Sequence, residues 1–120
     1  MMLGIVLAVG FDSSLMTTRT LVLQSAGYVV IRASSLEEAV DHFRAGDFDL
    51  VLLCHSAPAA DREHLTRLIR ASGSSIPIVS IARSHGECDP FANATLEDGP
   101  NKFVAGIRDA LVKAARTPVA

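Results

Sequence analysis

Short apolar runs alternate with segments whose apolar residues recur every three or four positions. The first run, Ile5 to Val9, is continuous rather than alternating, as expected of a strand covered on both faces. Asp12 or Ser13 can cap a helix reaching to about Ser25, with Leu15, Leu21 and Val22 among its apolar positions. Gly27 then supplies the positive φ that a helix end often needs. Tyr28 to Ala33 is the second strand. Ser35 with Glu38 spells a capping box for a second helix, which carries Ala39, Val40 and Phe43 and ends at Gly46. Leu50 to Cys54 is the third strand. A third helix runs from about Ala60 to Ser72, with Leu65, Leu68 and Ile69 at helical spacing and Gly73 at its end.

Ile76 to Ala82 reads as a fourth strand, opened by Pro77 at a position a strand start tolerates. After it the pattern weakens. Arg83 to Asn93 contains Gly86 and Pro90 and shows no helical period, so a loop or a single turn is expected. Ala94 to Glu97 is a short fifth strand. Pro100 suits the first turn of a last helix bearing Phe103, Val104, Ile107, Ala110 and Leu111. Alternating strands and helices with continuous apolar strands predict an α/β fold, a parallel sheet with helices on both faces. Residues 1–116 are read as one domain and 117–120 as a loose tail. No repeat, low-complexity tract or appended output domain is expected.

Composition narrows the function classes. The 120 residues are 49% hydrophobic and 20% charged, with a formal charge of -2. That suits one ordinary globular core. No basic stripe or aromatic-basic interleaving points to nucleic acid. The apolar N-terminus has no basic leader and is far shorter than the ~20 residues a membrane crossing requires. The expected compartment is the cytoplasm, where Cys54 and Cys88, which form no spacing pattern, stay reduced.

Several segments together resemble the receiver domain of bacterial response regulators: Ile5 to Val9, Ser25 to Val30, Ser34 to Ala39, Asp47 to Leu53 followed by Pro58 and Asp61, and Ile76 to Ile81. The resemblance implies a flavodoxin-like (βα)5 sheet of strand order 2-1-3-4-5, here with the fourth helix shortened or missing. Ligands of such sheets sit beyond the carboxyl ends of the strands. The family's chemistry is an aspartyl carboxylate that takes up a phosphoryl group beside magnesium. At the matching positions this chain departs from the pattern. Gly10 and Phe11 stand where an acidic pair holds the metal, and Asp12 lies one step further on. One carboxylate makes a poor magnesium cage. Cys54 takes the acceptor position, Ala82 that of the sensing hydroxyl, and Leu96 or Glu97 that of the lysine. Phosphoryl transfer depends on positioning and charge neutralisation. The expectation is therefore a degenerate pocket of Gly10, Phe11, Asp12, Cys54, Ala82 and Leu96, with Phe11 plugging the vacated acidic site or, as the alternative, standing as an exposed ring that a partner covers. No catalytic residue, metal or cofactor is expected.

Other candidates are weighed against simpler roles. Cys54 beside His55 is a possible reactive thiol, but cysteine is also a common buried apolar residue. A metal site would require Cys54, His55, His85 and Cys88 to converge, and their spacing matches no zinc pattern. Asp12 and Asp61 read as helix-start residues. His42 and His64 read as solvent-facing. Arg62, Arg67 and Arg70, interspersed with Asp61 and Glu63, read as a solvated helix face. Phe103, Val104, Ile107 and Leu111 mark the face that receivers use to dimerise or meet partners. The reading is a non-enzymatic, stand-alone pseudo-receiver of two-component-type signalling. It would bind a protein partner, with homodimerisation through the fifth strand and last helix. Its rivals are a thiol sensor built on Cys54 and a small-ligand-binding flavodoxin-like protein.

Overall fold

A computed structural model describes residues 3–81, 89–96 and 99–116, without the side chains of residues 100, 101, 115 and 116. Five strands, β1 (Gly4–Val9), β2 (Tyr28–Ala33), β3 (Leu50–Cys54), β4 (Ile78–Ile81) and β5 (Ala94–Leu96), form one parallel sheet in the order β2-β1-β3-β4-β5. The helices are α1 (Ser13–Ser25), α2 (Leu36–Ala45), α3 (Ala59–Ala71) and α4 (Pro100–Arg116). Among the described residues there is no helix between β4 and β5.

Side-chain alternation along the central strands divides the core in two. Val6, Ala8, Leu50, Leu52, Cys54, Val79 and Ile81 meet α1 and α4 through Met16, Leu23, Phe103 and Ile107. Leu7, Val9, Val51, Leu53 and Ile78 meet α2 and α3 through Ala39, Leu65 and Ile69. All five residues of β3 are buried, which explains its unbroken apolar run. Asp49 ties the start of β3 to β1: its backbone N–H donates to the Ile5 carbonyl (2.8 Å) and its Oδ2 accepts from the Ile5 N–H (2.7 Å).

Local signals set most helix ends. Asp12 caps α1, its Oδ1 accepting from the Leu15 N–H at 3.1 Å. Ser35 caps α2, its hydroxyl oxygen accepting from the Glu38 N–H at 3.1 Å. Glu38 reaches back one residue beyond the usual capping box, to the Ser34 N–H. Gly27 and Gly73 adopt φ of 104° and 90°, conformations that glycine takes without a Cβ penalty. Asp61 lies in the first turn of α3, whose cap position is Pro58.

Three expectations are corrected. Leu21 is 59% exposed, because α1 buries Met16, Arg19, Thr20 and Leu23 instead. Residues 16, 20 and 23 share one helical face, and Leu21 lies about 100–160° round the helix from each of them. The fourth strand begins at Ile78, two residues later than its apolar run. Finally, the α3 arginines do not form one solvated face. Arg67 pairs with Glu63 at the surface. Arg62 makes a bidentate pair with Asp89 at 3.0 and 3.1 Å, the two side chains only 11% and 17% exposed. Arg70 donates to the carbonyls of Ser74 (3.1 Å) and Ile76 (2.7 Å) and to Asn93 Oδ1 (2.7 Å). Burial pulls the Arg70 guanidinium below its ordinary pKa. Their partners lie ahead of β4 and on its connection to β5, stretches absent from any helical-period count.

Candidate functional site

The carboxyl ends of β1 and β3 meet beside the turn that follows each strand. The Gly10 N–H donates to the Ala33 carbonyl at 3.1 Å, carrying the β1 pairing one residue past the strand. Alternation directs position 10 toward the α1/α4 side and Phe11 toward the α2/α3 side. A Cβ built on Gly10 collides with Met16 Sδ and comes within 2.9 Å of Ser56 Oγ and 3.0 Å of Cys54 Cβ. Met16 is 1% exposed. Space that a side chain at position 10 would need is thus already filled by a thioether and a hydroxyl. Methionine's flexible, polarisable chain suits such an irregular gap.

Phe11 is half-buried against the α2/α3 core. Its backbone N–H donates to Ser56 Oγ at 3.0 Å, so the loop after β1 is stitched to the turn after β3. Asp12 is exposed and spends its carboxylate on the α1 cap. Cys54 is fully buried at the end of β3, and its carbonyl accepts from the Ala57 N–H at 3.0 Å. A reactive thiol needs solvent access and a charge that favours thiolate, and this one lacks the access. His55 lies just past the strand, half-buried.

The remaining pocket positions separate. Leu96 is half-buried against the α1/α4 core and presses on α4, where a Cβ built on Gly106 would strike Leu96 Cδ2. The absence of a side chain at Gly106 lets helix and strand approach closely. Lys102, the first lysine of the chain, is exposed on α4. Ala82, Glu97, His85 and Cys88 lie outside the described residues. Among the described residues no group of three or more His, Cys, Asp or Glu side chains is placed to hold a metal ion.

The structure therefore brings Gly10 and Cys54 together and adds Met16 and Ser56, which the sequence reading did not single out. One signal for Met16 is its place on the Met16–Thr20–Leu23 face. The other is a glycine at the strand end, which often marks a close approach. On α4, Phe103 and Ile107 are 2% and 0% exposed. They cover the sheet, and the more accessible part of this face is left to Val104, Leu111 and Val112. Val104 and Leu111 are half-buried, and Val112 is 42% exposed. A groove of about 360 Å³ runs beside β5, with Pro77, Ala94, Leu96, Gly106 and Ala110 in its walls and Asp109 and Lys113 at its side. No helix among the described residues is long and apolar enough to cross a membrane.

No family model matches the chain. A curated relative, the CAI-1 autoinducer sensor kinase/phosphatase CqsS of Vibrio cholerae, is 29% identical over 100 residues, 82% of this chain. The match spans 15% of that relative's length. A putative response regulator from Chloroflexus aurantiacus superposes with a TM-score of 0.79 at 25% identity, covering 91% of this chain and 98% of that one. Full-length FixJ from B. japonicum gives a TM-score of 0.83 at 21% identity, covering 97% of this chain and 61% of that one. With its parallel strands in the order 2-1-3-4-5, the chain has the receiver-domain fold of response regulators.

Proposed function

We propose that this chain is a receiver-type module of two-component signalling that acts through protein–protein contact, without aspartyl phosphorylation. The observation that carries this reading is the packing at the top of β1 and β3. Cys54 is fully buried at the acceptor position, and Met16 Sδ and Ser56 Oγ crowd the position of Gly10. The nucleophile is a thiol. Asp12, two residues past Gly10, spends its carboxylate on a helix cap. A dianionic phosphoryl group and a hard divalent cation need several oxygen ligands, and this pocket supplies packing in their place. The expected result of incubation with acetyl phosphate and magnesium is an unchanged intact mass. A gain of one phosphoryl group would overturn the reading.

The contact face proposed is the β5–α4 edge, and its occupant a signalling protein or a second copy of this chain. Support comes from the short, half-buried edge strand and the groove beside it, since unpaired strand edges and apolar patches both favour association. Sedimentation across a concentration series reads self-association there. A dimer that Ala110→Glu dissociates supports the homodimer, and a monomer at every concentration removes it.

A further inference from the structure

The described part of the β4–β5 connection, residues 89–93, is held by side chains of α3. Arg62 and Arg70 lie eight residues apart, near the same face of that helix and about 12 Å along it. Arg62 grips Asp89, at one end of the turn, through both carboxylate oxygens. Arg70 grips Asn93, at the other end. Each gripped residue is itself bonded into the sheet. The Asp89 N–H donates to Thr95 Oγ1 at 3.1 Å, and that oxygen lies 3.3 Å from Ser80 Oγ. Asn93 takes the Ile78 N–H on its Oδ1 and gives its own N–H to the Ile78 carbonyl, both at 2.7 Å. Between these points Phe91 and Ala92 rest on the α2/α3 core.

Ala94 and Leu96 pack on the α1/α4 core. Apart from that, β5 is an edge strand of three half-buried residues, paired among the described residues to β4 alone. Loop-closing contacts of this kind decide whether a short edge strand opens by itself or stays with the core. We infer that the two α3 arginines form a lock that holds β5 and the adjoining end of α4 in one position. Loss of the Arg62–Asp89 pair then releases that edge as a local unit while β1, β2 and β3 stay closed. The lock makes α3 the element that controls the β5 edge, in place of the pocket at the ends of β1 and β3. Arg62 also donates to the Ala57 carbonyl, in the turn that follows β3, and the lock stands whether or not the chain takes up phosphate.

Hydrogen exchange of the full chain, followed by mass spectrometry, tests the lock. For Arg62→Met, which keeps the apolar stem and removes the fork, exchange in peptides covering 94–96 and the start of α4 is expected to quicken by about tenfold or more, the factor associated with one hydrogen bond to a charged group. Peptides of β1 and β3 keep their native rates. Arg62→Lys retains charge without the bidentate geometry and is expected to fall between. Arg67→Met, on the same helix but in the exposed pair with Glu63, leaves the β5 rates unchanged. Equal acceleration throughout the chain for Arg62→Met, or native rates at β5, would overturn the lock.

Discussion

The pocket at the ends of β1 and β3 and the connection between β4 and β5 show opposite solutions. The first is closed by a thioether against a glycine and a buried thiol. At the second, the chain is tied down by a part-buried arginine–aspartate pair and an asparagine clamp. The described part of the connection is held instead by long polar side chains of α3, which donate to the side chains of Asp89 and Asn93. Both regions lie against the same rigid centre, the fully buried β3.

The sharpest way to break this contrast is to empty the apolar side. Met16→Ala removes a nearly fully buried side chain and is expected to lower stability by about 2–5 kcal/mol, read from the denaturant midpoint. Gly10→Ala forces a methyl group into occupied space and is expected to cost roughly 1–3 kcal/mol. In the Met16→Ala background that penalty should shrink, since alanine at 16 vacates the volume. Strict additivity in this double-mutant cycle would show that Met16 is not what closes the site.

On the polar side, Asn93→Ala strands the Ile78 N–H and one Arg70 donor, for an expected loss of about 1–3 kcal/mol. A neutral result would mean that water replaces the clamp without penalty. The smallest effect belongs to Arg67→Ala, which removes the exposed i,i+4 pair with Glu63. It is expected to change stability by about 0–1 kcal/mol, and a loss as large as that of Asn93→Ala would erase the distinction between the clamp and an ordinary surface pair.

The apolar period made the strands legible because a covered parallel strand has no polar face to interrupt its run, as Leu50 to Cys54 illustrates. Helix ends were legible where a single residue supplies the cap, as Asp12 and Ser35 do, or a positive φ, as Gly27 and Gly73 do. The vacancies at Gly10, Phe11 and Cys54 were visible as residue types. What fills the space was not, because Met16 reaches Gly10 across a loop and its spacing alone is that of any core residue. The same limit hid the roles of Arg62 and Arg70. An arginine on a helix with acidic neighbours looks solvated until a partner 27 or 23 residues further along the chain is folded against it.

By itself, then, the sequence determined the order of strands and helices, the residues available at the ends of β1 and β3, and the lack of a regular helix signal after β4. Those properties follow from local periodicity and side-chain chemistry, which the linear chain carries in full. Tertiary structure alone decided that a methionine closes the pocket and that two arginines secure the last strand. Both depend on distances between segments remote in sequence, and only the packed sheet sets those distances.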